Sequence, residues 1–150
     1  MKGLRRTRSR KAFTLVELLV VVTILGILVA VVGVRVIHQP DKARVKATMA
    51  QIANFKHALE EFYIETGTFP STDEGLNALV VQPMDADIAS SWGGPYMDRI
   101  PKDQWARDYV YRCPGADGSD YDIICYGKDG REGGEGFGRD ITNHNLGDFR

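Results

Sequence analysis

Four carboxylates in a glycine-rich segment near the C-terminus are the residues best suited to chemistry. The segment is 129–140 (DGREGGEGFGRD), and its carboxylates are Asp129, Glu132, Glu135 and Asp140. Ca²⁺ takes about six to eight oxygen ligands, and glycine lets the backbone bend so that carbonyls join carboxylates around one ion. The order of residues differs from an EF-hand, because Arg131 stands where that loop requires a ligand. By composition, the segment is either a calcium loop or a solvated loop.

The two cysteines, Cys113 and Cys125, have neither a CxxC spacing nor His or Cys companions at zinc-site spacing. The residues between them, 114–120 (PGADGSD), are rich in turn formers, which favours a hairpin. A cross-strand disulfide requires Cys113 to lie opposite Cys125. A tight hairpin centred near Asp117 places Cys113 opposite Tyr121 instead. Either a disulfide or two free thiols is compatible with the pattern.

No set of residues predicts catalysis. The three histidines, His38, His57 and His144, are scattered and accompany no obvious nucleophile. The motifs GxSxG, HExxH, GxGxxG and the P-loop are missing from the sequence. The formal net charge of −1 gives no basic field for a nucleic-acid partner. We therefore predict neither an enzyme nor a nucleic-acid-binding protein.

The N-terminal third divides into a basic tip and an apolar run. Residues 1–12 (MKGLRRTRSRKA) hold six cations and no acid, whereas 13–34 (FTLVELLVVVTILGILVAVVGV) contains one charge, Glu17. A helix of 22 residues spans about 30 Å, the thickness of the hydrocarbon layer. The pattern predicts a single membrane-spanning helix over 13–37. The basic tip orients its N-terminus to the cytoplasm and residues 38–150 to the other side.

Glu17 is the exception within that apolar run. An ionised carboxylate among aliphatic side chains costs about 2.5–3.5 kcal/mol, so it usually has a partner or a function. One interpretation is that Glu17 lies near the cytoplasmic end and reaches the headgroups. Another is a pair with an α-amine, because a cut before Phe13 would create one on the same helix face, four residues away.

Helical spacing predicts a second helical segment over 42–66. Its apolar stripe consists of Val45, Met49, Ile52, Phe55, Leu59 and Phe62. We interpret this stripe as core packing and not as a ligand site. Gly67 ends the helix, and Pro70 prevents its resumption. Pro40 is a candidate for a break ahead of it, since proline removes a backbone donor.

Between the second helical segment and the strands, the sequence predicts a short helix and then an irregular loop over 82–108. Ser71 and Glu74 have capping-box spacing for a short helix that ends at Leu79. From residue 82 onward the sequence is a loop rich in Pro and Gly, and its tryptophans, Trp92 and Trp105, are expected to anchor it to the domain.

Residues 109–113 and 121–126 alternate in polarity and predict two strands. Together with the preceding helices they predict an α+β fold, in which a long N-terminal helix packs on a small antiparallel sheet. The acidic loop of residues 129–140 follows the second strand. The elements that must position the candidate ligands are therefore this sheet and the helix behind it.

The string Lys11-Ala12-Phe13-Thr14-Leu15-Val16-Glu17 resembles the leader of type IV pilins and pseudopilins. The resemblance implies that a prepilin peptidase cuts between Ala12 and Phe13 and removes residues 1–12. It also implies N-methylation of Phe13 and docking of subunits through Glu17. The family normally has Gly before the cut, and this chain has Ala12.

The body of the chain is similar to the major pseudopilins of type II secretion. The matching segments are Gly67–Leu79 (GTFPSTDEGLNAL), Trp92–Tyr96 (WGGPY), Ile100–Trp105 (IPKDQW) and Gly127–Gly130 (GKDG). This resemblance implies a pilin-like fold and a structural role in a periplasmic fibre. The implied partners are further copies of the chain, minor pseudopilins, an inner-membrane assembly platform and membrane lipid.

The same resemblance implies a structural Ca²⁺ in the acidic loop. Carried over by position, Asp129 and Asp140 match the side-chain ligands, and the carbonyl of Tyr126 matches a backbone ligand. Where many relatives place a second Asp before the last one, this chain has Arg139. Glu135 is a weaker candidate for the carboxylate that is missing there.

Two other functions remain open at the level of sequence. One is a type IV pilin used for adhesion or DNA uptake. The other is a monomeric, membrane-tethered calcium-binding module, which would use the acidic loop but would not need the Glu17 docking group.

Overall fold

The computed structural model describes residues 14–36 and 39–149. The chain divides into two compact units, Met1–Gln39 and Pro40–Arg150. The predicted leader, the cleavage site between Ala12 and Phe13, and the methylated Phe13 lie outside the described residues.

The first helix, α1, covers Leu15–Val36. Thr14 caps it, because its Oγ1 accepts a hydrogen bond from the Glu17 backbone N–H at 3.2 Å. The large apolar side chains described for α1 are exposed, with exposed fractions between 45% at Val21 and 80% at Leu15. In the part of the chain that the structure describes, no helix combines the length and the apolarity needed to cross a membrane.

The second helix, α2, covers Gln39–Thr66 and starts slightly before the predicted segment. Pro40 lies in its first turn, where proline is tolerated because no intrahelical N–H bond is lost. The predicted stripe is confirmed: Met49 is partly buried and the five other members are buried. Gly67 ends the helix at φ 75° and donates its N–H to the Tyr63 carbonyl at 2.8 Å.

The predicted capping box forms, but the helix after it is a 3-10 helix, Gly75–Leu79. Glu74 Oε2 accepts from the Ser71 backbone N–H at 2.8 Å, and Ser71 Oγ accepts from the Glu74 N–H at 3.3 Å. Both bonds close the turn that precedes the 3-10 helix. Leu76 and Leu79 then point into the core.

The sheet has three antiparallel strands in the order β1-β2-β3. They are β1 Val110–Arg112, β2 Asp122–Cys125 and β3 Ile141–Thr142. Tyr111 pairs with Ile123, and Cys125 pairs with Ile141. Alternation predicted β1 and β2, whereas β3 was not predicted, because two residues are too few to show a period.

One core joins the buried face of α2, the 3-10 helix Gly75–Leu79 and the sheet. The rings of Phe55 and Tyr109 meet edge to face with centroids 5.0 Å apart. The hydroxyl of Tyr111 donates to the Pro70 carbonyl at 2.9 Å. These contacts confirm the predicted α+β packing of a helix on a small antiparallel sheet.

The loop predicted over 82–108 contains a short helix, α3, at Ala86–Ser91. The side chain of Asp85 caps it by accepting from two backbone N–H groups of its first turn. The prediction of an irregular loop is therefore wrong for these six residues, because so short a helix cannot show an apolar period. Trp92 does anchor the loop, since its Nε1 donates to the Ala78 carbonyl at 2.9 Å.

The disulfide alternative is not realised, and both cysteines are free thiols. Because Arg112 pairs with Asp122, the next residue, Cys113, continues toward Tyr121 and not toward Cys125. The buried Cys125 donates its S–H to Asp103 Oδ2 at 3.2 Å. Burial, together with this carboxylate, raises the pKa of Cys125 to about 12.

A tight turn at 103–107 leads into β1. Asp103 Oδ1 accepts from the backbone N–H groups of Trp105 and Arg107, at 2.9 and 2.8 Å. Ala106 in this turn has φ 64°, which is the left-handed region. An alanine there is strained by about 1 kcal/mol, because its Cβ crowds the carbonyl oxygen.

We predict that Ala106→Gly raises the stability of the protein by about 1 kcal/mol, since glycine adopts this conformation without strain. The measurement is urea unfolding of the purified full-length chain in detergent. Gly118→Ala is the matched control, because Gly118 has a similar φ of 76° and open space around its Cα. The control should lose stability, and a loss in Ala106→Gly would contradict the argument.

Candidate functional site

The acidic loop connects β2 to β3, and the sheet brings its two ends together. Cys125 and Ile141 form the last strand pair. Tyr126 and Asp140 are the next residues on each side of that pair. Tyr126 and Asp140, the two predicted ligands farthest apart in sequence, are thus brought together where the chain leaves β2 and enters β3.

Backbone hydrogen bonds fold the loop back on itself. The Lys128 N–H donates to the Phe137 carbonyl at 2.8 Å, and the Gly130 N–H donates to the Tyr126 carbonyl at 2.9 Å. Gly127 has φ 51°, and a Cβ there would lie 2.7 Å from the Arg139 carbonyl oxygen. Glycine is required at this position by both conformation and space.

The predicted side-chain ligands, Asp129 and Asp140, lie against the same part of the loop. Asp129 Oδ1 accepts from the Arg131 N–H at 3.2 Å, and Asp140 Oδ2 accepts from the Gly133 N–H at 2.9 Å. The other Asp129 oxygen is so close to Gly138 that a Cβ there would approach it to 2.9 Å. The second Asp140 oxygen, Oδ1, is buried with no hydrogen-bond partner in the described structure.

Glu135 does not join these carboxylates. Among the described residues, no three side chains of His, Cys, Asp or Glu are close enough together to hold a metal ion. Glu135 lies on extended backbone, and its side chain is exposed. The weaker candidate is therefore not supported.

The donor set fits a hard cation bound by two carboxylates and by backbone carbonyls. The buried, unpartnered Asp140 Oδ1 is the observation that favours this, since such an oxygen is costly without a donor or a cation. The carbonyl of Tyr126 has a second lone pair besides the one that accepts from Gly130. Oxygen donors of this kind are typical of Ca²⁺ sites.

Arg139, at the position where the resemblance implied an acidic residue, contacts the C-terminal segment. Its Nη2 pairs with Asp148 Oδ2 at 3.2 Å, and its guanidinium lies 5.2 Å from the centroid of the Phe149 ring. Its charge is thus engaged by the tail of the chain.

Arg107 is a residue of the site that sequence reasoning missed. Its guanidinium donates to the carbonyls of Gly127 and Lys128, at 2.8 and 3.0 Å. It also covers Gly130, where a Cβ would lie 2.5 Å from its Cζ. No spacing signal could have found Arg107, because 20 residues and a strand hairpin separate it from the loop.

His144 forms a small polar cluster with Asp122 and Ser119. Its Nε2 lies 2.9 Å from Asp122 Oδ1 and 3.5 Å from Ser119 Oγ. Burial opposes ionisation, but hydrogen bonds from the Ala116 N–H, His144 and Ser119 hold the pKa of Asp122 below its usual value. Since one ring nitrogen faces both partners, the arrangement differs from a hydrolytic triad, in which the acid and the nucleophile use opposite nitrogens.

Glu17 lies in the first turn of α1, with its side chain exposed. Thr14 and Glu17 have capping-box spacing, and a carboxylate in the first turn is favoured by the positive end of the helix dipole. Phe13, its predicted partner, lies outside the described residues.

Family models match both parts of the chain. Residues 7–33 match the prokaryotic N-terminal methylation motif, and residues 35–144 match protein G of the type II secretion system (T2SS). The chain belongs to the type II secretion protein G family. This confirms the family that the sequence motifs indicated.

Type II secretion proteins named core protein G align with nearly the whole chain. The type II secretion system core protein G of Vibrio cholerae serotype O1 is 39% identical over 147 residues, which cover 98% of this chain and 100% of the relative. That of Pseudomonas aeruginosa is 38% identical over 137 residues, which cover 91% and 96%. The chain is therefore similar to these proteins over nearly their whole length.

A solved structure confirms the pilin-like fold. The crystal structure of the major pseudopilin from the type 2 secretion system of enterohaemorrhagic Escherichia coli matches with a TM-score of 0.60 at 30% identity. The match covers 71% of this chain and 91% of that chain. The chain is thus a structural pseudopilin, as the sequence predicted.

Proposed function

We propose that this pseudopilin is made as a precursor and works as a polymer. A prepilin peptidase removes residues 1–12 on the cytoplasmic side, and the new N-terminus at Phe13 is methylated. Residues 13–37 hold the subunit in the bacterial inner membrane, with 38–150 in the periplasm. The observation that carries this proposal is the methylation motif over 7–33, with its single carboxylate Glu17, directly ahead of a protein G body.

Glu17 is proposed to guide each subunit into the fibre. Glu17 is the only charged residue in the apolar sequence 13–34. No side chain of that segment can therefore serve as its counter-charge. An α-amine at Phe13 of a neighbouring copy would neutralise it. The pair would lower the cost of burying both charges and would fix the axial position of one subunit against the next.

The assembled fibre is proposed to help export folded proteins across the outer membrane. Its partners are further copies of this chain, minor pseudopilins and the inner-membrane assembly platform. The sequence carries no nucleotide-binding motif, so the energy for extension comes from another component, and we propose that the subunit itself is not catalytic.

We also propose that the acidic loop holds a structural Ca²⁺. Asp129, Asp140 and the carbonyl of Tyr126 are the proposed ligands. A bound cation would satisfy Asp140 Oδ1 and would pin the loop that lies between β2 and β3. The loop would then present a fixed surface to a neighbouring subunit.

The docking role predicts that Glu17→Ala abolishes fibres and secretion while the protein stays in the membrane at a normal level. The measurement is electron microscopy of sheared fibres together with assay of a secreted protein in the culture medium. Thr23→Ala is the control, because Thr23 is a polar residue of the same helix whose hydroxyl, in the described structure, donates to the Leu19 carbonyl at 2.7 Å. The control should assemble normally.

Fibres of normal number and length in Glu17→Ala would refute the docking role. A normal fibre in a strain whose type II secretion genes are deleted would instead favour a type IV pilin.

The calcium proposal predicts that chelation lowers the thermal midpoint of the full-length protein in detergent by several degrees. A ligand at about one hundred times its Kd stabilises the native state by about 2.7 kcal/mol, and this contribution is lost with the ion. Re-added Ca²⁺ should restore the midpoint, whereas equal Mg²⁺ should not. Superimposable melting curves, with no metal found by elemental analysis, would contradict the proposal.

A further inference from the structure

An ion pair connects the acidic loop to the start of α2. Lys128, the residue before the proposed ligand Asp129, places its Nζ 2.8 Å from Asp41 Oδ2. The Asp41 side chain is 8% exposed, and a second cation, Arg44, is farther away at 3.8 Å. The shorter contact therefore makes Lys128 the closer counter-charge of a nearly buried carboxylate.

The position of Asp41 explains why a carboxylate is stable there. It is the third residue of α2, in the first turn, where the helix dipole favours a negative charge. It is also fixed by a helix whose next turns are locked in the core through Val45 and Thr48. The core packing of α2 thus fixes the position of Asp41, and Asp41 in turn holds the long side chain of Lys128.

Both the backbone and the side chain of Lys128 are held in place. Its N–H donates to the Phe137 carbonyl on the opposite limb of the loop, and its carbonyl accepts from Arg107 Nη2. Arg107 is positioned in turn by Asp103, which accepts from the Arg107 N–H at 2.8 Å. Loop closure and the ion pair therefore meet at Lys128, next to Asp129.

We infer that Asp41 and Lys128 are positioning residues of the cation site, and that cation binding is coupled through them to the first turn of α2. The inference rests on the proposed calcium site. An ion held by Asp129 fixes the backbone on which Lys128 stands, and the pair with Asp41 fixes the same backbone from the helix side. Coupling between two interactions is reciprocal. If a bound cation strengthens the Asp41–Lys128 pair by some factor, loss of the pair weakens the affinity for the cation by the same factor.

Simple charge effects predict a different result. A lysine close to a cation site repels the cation, so its removal alone should tighten binding. Positioning predicts weaker binding from the same change. The double variant Asp41→Asn/Lys128→Met removes one charge of each sign, so it leaves the net charge unchanged. Any loss of affinity in it reports positioning and not the local field.

The experiment is calorimetric titration of Ca²⁺ into the full-length protein in detergent, with the thermal midpoint of the metal-free protein measured alongside. We expect the Kd for Ca²⁺ to rise about 5-fold or more in Lys128→Met and in the double variant. Lys128→Arg keeps the charge and should retain most of the affinity. Lys102→Met is the matched control, because it breaks an exposed pair with Asp108 at 3.5 Å and should leave the Kd unchanged.

Wild-type affinity in the double variant, or tighter binding in Lys128→Met, would overturn the coupling while leaving the calcium site in place. If Lys128→Met fails to fold, the charge-balanced double variant decides the question. A wild-type protein that takes up no Ca²⁺ would overturn the calcium site and the coupling together, and the fibre assay of Glu17→Ala would still test the pseudopilin function separately.

Discussion

A carboxylate among apolar side chains needs a counter-charge or hydrogen-bond donors, because burying it alone costs about 2.5–3.5 kcal/mol even in a membrane-spanning helix. Glu17 is the one charge in the apolar stretch 13–34. Thr14 and the first-turn position of Glu17 place it at the positive end of α1. In our account, the amine of a neighbouring subunit supplies the rest. Glu17 then raises the free energy of an isolated subunit in the membrane and lowers it again when the subunit joins the fibre.

The globular unit obeys the same rule. Asp103 is buried and receives two backbone N–H groups and the Cys125 thiol. Asp41 is buried and receives Lys128. Asp140 is half-buried, but its Oδ1 is buried and unpartnered in the described structure, and it lies in the loop proposed to bind Ca²⁺. Asp103 and Asp41 are thus compensated by donors of the chain itself, whereas Asp140 Oδ1 is the oxygen for which we propose a cation.

Features with a local period or a local turn signal could be predicted from the sequence. The stripe of α2, the β1–β2 hairpin and the Ser71–Glu74 capping box are of this kind. Contacts between distant segments could not, because no spacing links Arg107 to Gly127 or Asp41 to Lys128. The cysteine pairing depended on a register that alternation alone leaves open. The carboxylates Asp129 and Asp140 were found by type and resemblance, whereas the exposure of Glu135 depends on the path of the loop.

The central claim is that processing creates the amine that Glu17 requires. Mass spectrometry of the intact protein, purified from membranes of cells that carry the secretion system, tests it most directly. The account predicts a chain that begins at Phe13 and carries one added methyl group. A population that retains residues 1–12 and still forms fibres would contradict it, since no free amine would then lie four residues before Glu17.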